Sequence, residues 1–184
     1  MNKAPFLVYV ITELEGADAA GALAPSEQWA IQLRDREASG AALLAAAERL
    51  ARAGHRVYVN DRVDVALAAG CEGVQLGGSS VEVADARALG GPELGVGVSI
   101  HAPAEAAAAR AAGADFCVLA PIFASPGKGP PLGLGALAEA ARAGLPVYAL
   151  GGVDESNAAA CLHAGAAGVA AIRAGLVLAR LFAA

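Results

Sequence analysis

Apolar and polar positions alternate along this chain in blocks, not residue by residue. Short apolar runs at 56 to 60, 73 to 76, 94 to 100, 115 to 123, 146 to 150 and 168 to 172 are separated by alanine-rich stretches of helical character. Two earlier runs, Phe6 to Thr12 and Ala30 to Leu33, bring the candidate strands to eight. The runs show no polar alternation, as expected of parallel strands covered on both faces. Gly54, Gly70, Gly90, Gly113, Gly144 and Gly165 each close an alanine-rich stretch just before the next run, where glycine stops a helix at little cost. The pattern is a βα unit repeated along the chain.

Eight parallel strands form either a closed barrel or an open doubly wound sheet, and periodicity does not separate the two. No Gly-x-Gly-x-x-Gly follows the first strand, which argues against a dinucleotide-binding sheet. In a barrel, polar residues at strand ends converge on one mouth, and here they suit a ligand site. The expectation is an α/β fold, a (β/α)8 TIM barrel, as a single domain over 1–184 with short loops.

Composition narrows the function. Hydrophobic residues make up 57% of the chain and charged ones 17%, with Ala and Gly rather than aromatics filling the core. The longest stretch free of charged residues and His, Phe116 to Gly127, is shorter than the ~18 residues that span a bilayer. The N-terminal MNKAPFLVYVIT reads as a buried strand rather than a signal peptide, so the expected location is the cytoplasm. Cys71, Cys117 and Cys161 are far apart in apolar segments, which suggests reduced core thiols and neither a metal site nor disulfides. A net charge of −5 provides no general attraction to nucleic acid or to an anionic membrane, so an anionic ligand must be held by local groups.

Those groups lie at the strand ends. In IQLRDRE, period two puts Gln32, Arg34 and Arg36 on one face, an anion clamp of two guanidiniums; an ion-pair network with Asp35 and Glu37 is the structural alternative. Asn60 and Asp61 end the third strand as ligand contacts or as helix caps. Ser99 and His101 end the fifth, the serine as a phosphate donor, the histidine as a proton carrier or a cap. The Pro- and Gly-rich loop PIFASPGKGPPLG carries Ser125 and a single cation, Lys128, and reads as a lid. Gly151 and Gly152 end the seventh strand and allow backbone N–H groups to approach a phosphate.

Over nearly its whole length the chain resembles the thiamine phosphate synthase and TenI superfamily, through IQLRDRE, VNDRVDVALAAGCEGVQLG, GVSIHAPAEAAAARAAGADFCVLAPIF, SPGKG and ALGGVDESNAAACLHAGAAGVAAI in that order. The resemblance to the synthases implies a pyrimidine diphosphate gripped at Gln32, Arg34, Arg36, Asn60, Asp61 and Lys128. Ser80 stands where synthases have an aspartate that helps hold magnesium, and a neutral hydroxyl weakens such a site. RDRE and VQLGGSS resemble TenI, whose characterised members are metal-free thiazole tautomerases. The leading expectation is therefore a TenI-type isomerase acting on a thiazole phosphate carboxylate, with no cofactor. Pro121 stands where those tautomerases place a histidine, so His101 or Asp61 would have to move the proton. The alternative is a magnesium-dependent thiamine phosphate synthase; a third reading is a catalytically silent phosphate-binding or regulatory relative. The partner in each case is a small phosphorylated ligand, and TenI relatives suggest a homo-oligomer.

Overall fold

A computed structural model describes residues 6–182, so both ends of the expected 1–184 domain lie outside the described residues. Eight strands alternate with eight helices among those residues: β1 Val8–Thr12, α1 Leu14–Gly21, β2 Trp29–Leu33, α2 Gly40–Arg52, β3 Val57–Asn60, α3 Val63–Ala68, β4 Gly73–Leu76 and α4 Val83–Gly90 make the first half. The second half is β5 Gly95–Ile100, α5 Glu105–Ala111, β6 Phe116–Leu119, α6 Gly133–Ala141, β7 Val147–Ala149, α7 Ala158–His163, β8 Gly168–Ala171 and α8 Gly175–Phe182. Each strand pairs in parallel with the next, and β1 pairs with β8 in the register Val8↔Val169, so the sheet is a closed barrel.

The strands start and stop near the expected positions, with two differences. The sixth run was expected to extend to 123, but pairing ends at Leu119; Ile122 and Phe123 donate instead to the carbonyls of Leu150 and Gly151. The fourth helix stops one residue late. Gly90 is its last helical residue, and Gly91, at φ 69°, is the one that turns the chain out. A notional side chain on Gly90 would run into Leu94, so this glycine serves packing.

Alanine dominates the layer between helices and barrel: Ala17, Ala20, Ala46, Ala47, Ala86, Ala106 and Ala140 are all buried. Five of the eight aromatic side chains are gathered instead inside the lower barrel. Phe6, Tyr9, Tyr58, Phe116 and Tyr148 form one cluster, with ring centroids 4.7 to 6.2 Å apart. Small residues on neighbouring strands make room for the rings. The edge of Tyr58 occupies the space that a Cβ on Gly73 or Gly95 would take, and Tyr148 does the same at Gly168. Large and small residues thus interlock across the barrel, which is how such an interior is filled without voids. Below the rings, Arg56 makes two bonds to Glu72, at 2.8 and 2.6 Å, and its guanidinium lies 5.2 Å from the Phe6 ring centroid. With that end filled, the opposite mouth is left for a ligand.

Candidate active site at the barrel mouth

A cavity of about 250 Å³ opens at the C-terminal ends of the strands. Gln32, Arg34, Arg36, Asn60, Asp61, Ser99, His101, Ser125, Lys128 and Gly151 all line it, so barrel closure brings together nearly every residue singled out in the sequence. Gly152 is the exception. It sits behind the lining, where a Cβ would strike the Ala124 carbonyl and the Phe123 side chain.

Arg34 and Arg36 both reach the cavity, although β2 ends at Leu33 and both arginines sit in the following loop. The alternative ion-pair network is absent. Asp35 turns away and accepts hydrogen bonds from the backbone N–H groups of Leu14, Glu37 and Ala38. Among the described residues, the side chains of Arg34, Arg36 and Lys128 have no hydrogen-bonding or ion-pair partner. Unpaired cations repel one another and favour an arriving anion.

Asn60 and Asp61 do not cap α3. Gln32 Nε2 donates to Asn60 Oδ1 at 2.9 Å, and Asn60 Nδ2 donates to Asp61 Oδ2 at 2.6 Å. Asp61 is held at φ 61°, an uncommon conformation for a residue with a side chain. Its Oδ1 accepts from the Gly77 N–H at 3.3 Å and from the Ser80 hydroxyl, which itself accepts from Gly77 N–H at 2.6 Å. Asp61 is the single carboxylate on the lining among the described residues.

His101 does not cap α5 with its ring. Its Nδ1 lies 3.0 Å from the Ala120 carbonyl, so Nδ1 carries the proton and Nε2 is left without one in the neutral ring. The Glu105 carboxylate accepts the His101 backbone N–H at 3.1 Å. Gly151 is at φ 95°, and a Cβ there would come within 2.8 Å of Pro121 Cα, so a side chain is excluded by both conformation and space. Its N–H has no acceptor among the described residues.

Gln75 was missed in the sequence. It is buried on β4, lines the cavity, and donates from Nε2 to Ser99 Oγ at 3.1 Å, while its Oε1 has no partner. A lone polar residue in the apolar run GVQL was the available signal.

Comparison with known proteins places this mouth in a family. Residues 8–174 match the thiamine monophosphate synthase family, described by that name. The chain belongs to it. A putative thiamine-phosphate synthase from Geobacter sulfurreducens is 41% identical over 189 residues, covering 95% of this chain and 88% of the relative. A thiamine-phosphate synthase from Gloeobacter violaceus is 45% identical over 151 residues; the match covers 78% of this chain but 44% of that longer protein. The solved thiamine phosphate pyrophosphorylase from Pyrococcus furiosus superposes with a TM-score of 0.80 at 30% identity, covering 95% of this chain and 89% of that one.

These findings correct the leading expectation. The relatives of this thiamine monophosphate synthase family member are synthases, which are transferases, so the TenI-type isomerase reading is overturned and the closer likeness to TenI is not upheld. The local match of RDRE and VQLGGSS to TenI weighs less than identity spread over the whole barrel. Family membership implies small phosphorylated ligands. Among the described residues, no helix is long and apolar enough to cross a membrane.

Proposed function

We propose that the chain is a thiamine-phosphate synthase, joining a pyrimidine diphosphate to a thiazole phosphate and releasing pyrophosphate. One observation carries the reading: three cationic side chains with no partner among the described residues, those of Arg34, Arg36 and Lys128, line one mouth together with the carboxylate of Asp61. The reaction forms a bond from the thiazole nitrogen to the pyrimidine methylene carbon. That carbon's bond to the diphosphate oxygen breaks, and the electron pair leaves with pyrophosphate. No proton need pass between carbon atoms, so Pro121 in place of a histidine is no obstacle. What must be stabilised is negative charge on the leaving group, the task of fixed cations in a partly enclosed site.

In this reading Arg34, Arg36 and Lys128 hold the diphosphate, while Gln32 and Asn60 orient the pyrimidine side. Ser125 and the Gly151 N–H hold the thiazole phosphate. His101 Nε2 faces the ligands as a hydrogen-bonding group.

A magnesium ion, which the synthase resemblance implies, would be held by Asp61 and the Ser80 hydroxyl together with diphosphate oxygens. The donor set fits a hard cation, though with a single carboxylate, and among the described residues no group of three or more acidic, His or Cys side chains converges for a metal. When bound, the ion would neutralise charge on the departing diphosphate. The test is to incubate the folded protein with both substrates and magnesium. Thiamine phosphate and pyrophosphate appearing in equal amounts is the expected result; no turnover from folded protein would overturn it.

A further inference from the structure

Gln75 and Ser99 both line the cavity and are bonded to each other, yet neither holds a charge that a phosphate would need. Gln75 is 1% exposed, and the strand register fixes its place, with Asn60 beside it on β3 and Gly97 on β5. A side chain on Gly97 would strike both Gln75 Oε1 and the Phe116 ring, so the amide rests in a notch that this glycine leaves open. From there Nε2 donates to Ser99 Oγ at 3.1 Å. Oε1 is buried and has no partner, so Gln75 acts on a ligand through Ser99 rather than through its own oxygen.

A serine hydroxyl has one proton and two lone pairs. Gln75 occupies one lone pair, and Ser99 Oγ donates to no group among the described residues. Its proton is therefore free for an acceptor in the cavity. Asn60, Gln75 and Ser99 make the wall polar along β3 to β5, while Ile11, Val118 and Leu150 give it an apolar surface on the side of β1, β6 and β7. That division suits a flat ring with an uncharged nitrogen at one edge. We propose that Gln75 is a positioning residue for ring recognition: by donating to Ser99, it keeps the serine proton turned towards a ring nitrogen of the pyrimidine diphosphate. The inference rests on the synthase reading and deepens it, assigning Ser99 to the ring and not to a phosphate.

The pyrimidine diphosphate is titrated calorimetrically into the whole protein, with pyrophosphate as the ligand that lacks the ring. Ser99→Ala and Gln75→Leu should each weaken pyrimidine diphosphate binding about fivefold or more, the loss of one hydrogen bond, and leave pyrophosphate binding unchanged. The double variant should bind no worse than the weaker single variant, because both changes remove the same interaction. Gln75→Glu adds a readout that lost packing would not move. Burial favours the neutral carboxyl, which donates to Ser99 as the amide does; the carboxylate formed at higher pH only accepts, and draws the serine proton away from the ligand. Relative to the unchanged protein, the affinity of this variant for the pyrimidine diphosphate should fall about fivefold or more as pH rises. If Gln75→Leu does not fold, Ser99→Ala and this pH profile decide. Additive losses, an equal loss of pyrophosphate affinity, or a Gln75→Glu affinity that follows the unchanged protein at every pH would overturn the proposal and leave the synthase reading standing. Binding of neither ligand to the unchanged protein would overturn both.

Discussion

Asp35 accepts a hydrogen bond from the backbone N–H of Leu14 at 3.3 Å, tying the loop after β2 to the start of α1. Its other oxygen takes the N–H groups of Glu37 and Ala38, at 3.1 and 3.0 Å. The carboxylate between two arginines thus braces the backbone and leaves both guanidiniums unpaired. Asp35→Ala should lower pyrophosphate affinity several-fold and cost about 1 kcal/mol of stability, although the side chain is absent from the cavity lining. Calorimetry and urea unfolding of the same variant check both effects. A gain in affinity would mean that the carboxylate opposes the anion by its charge more than it orders the loop.

Arg34 leads the clamp and is only partly exposed, whereas Arg36 is open to solvent. Removing one charge-assisted bond typically costs ~1.5–3 kcal/mol, or roughly ten- to a hundredfold in affinity. Arg34→Ala should weaken pyrophosphate binding by that amount. Arg34→Lys should recover only part, because an ammonium lacks the planar fork. Unchanged binding in both folded variants would remove Arg34 from the site.

Gly151→Ala places a methyl group within 2.8 Å of Pro121 Cα, at φ 95°. A backbone atom cannot swing aside as a flexible side chain does. The variant should lose about 2 kcal/mol or more of stability and raise the KM for thiazole phosphate more than that for the pyrimidine diphosphate. Steady-state kinetics with each substrate varied in turn measures the difference; equal effects on both would contradict a thiazole phosphate site at Gly151.

All three tyrosines lie in the lower barrel. Burial pushes each phenol well above its ordinary value, and the Glu72 carboxylate beside Tyr58 raises that one further. A group whose folded pKa exceeds its unfolded value adds stability that is whole below the unfolded pKa, about 10 for Tyr, and drains away as pH climbs towards the folded pKa. Above pH 10 the three phenols together should cost the chain up to about 4 kcal/mol per pH unit. The thiols of Cys71 and Cys117, pushed by burial up to about 12, and that of Cys161, pushed to about 11, start the decline above about pH 8.5. Urea midpoints across this range, with phenolate absorbance recorded in parallel, provide the check. Phenolate signal near pH 10 from protein that is still folded would contradict it.

The repeat of strands and helices was legible in the sequence because it is local: an apolar run, an alanine-rich stretch and a glycine stop each report on a few neighbouring residues. Gly54 and Gly70, both at positive φ, are examples. The polar residues at strand ends were legible too, since a charged side chain closing a buried strand has few places to go. The fate of Asp35 was not, because two guanidiniums and three backbone N–H groups compete for its carboxylate and only the folded loop shows which win. Nor was the aromatic cluster, which joins Tyr9 to Tyr148 across most of the chain, nor the glycine notches that admit Tyr58 and Tyr148. Barrel closure itself depends on the pairing of Val8 with Val169. Contacts at such sequence separation form only when every intervening strand has taken its register, so no short window of sequence carries them. The same closure brings Lys128 to the mouth that Arg34 and Asp61 share, and a set of separate strand ends becomes one site.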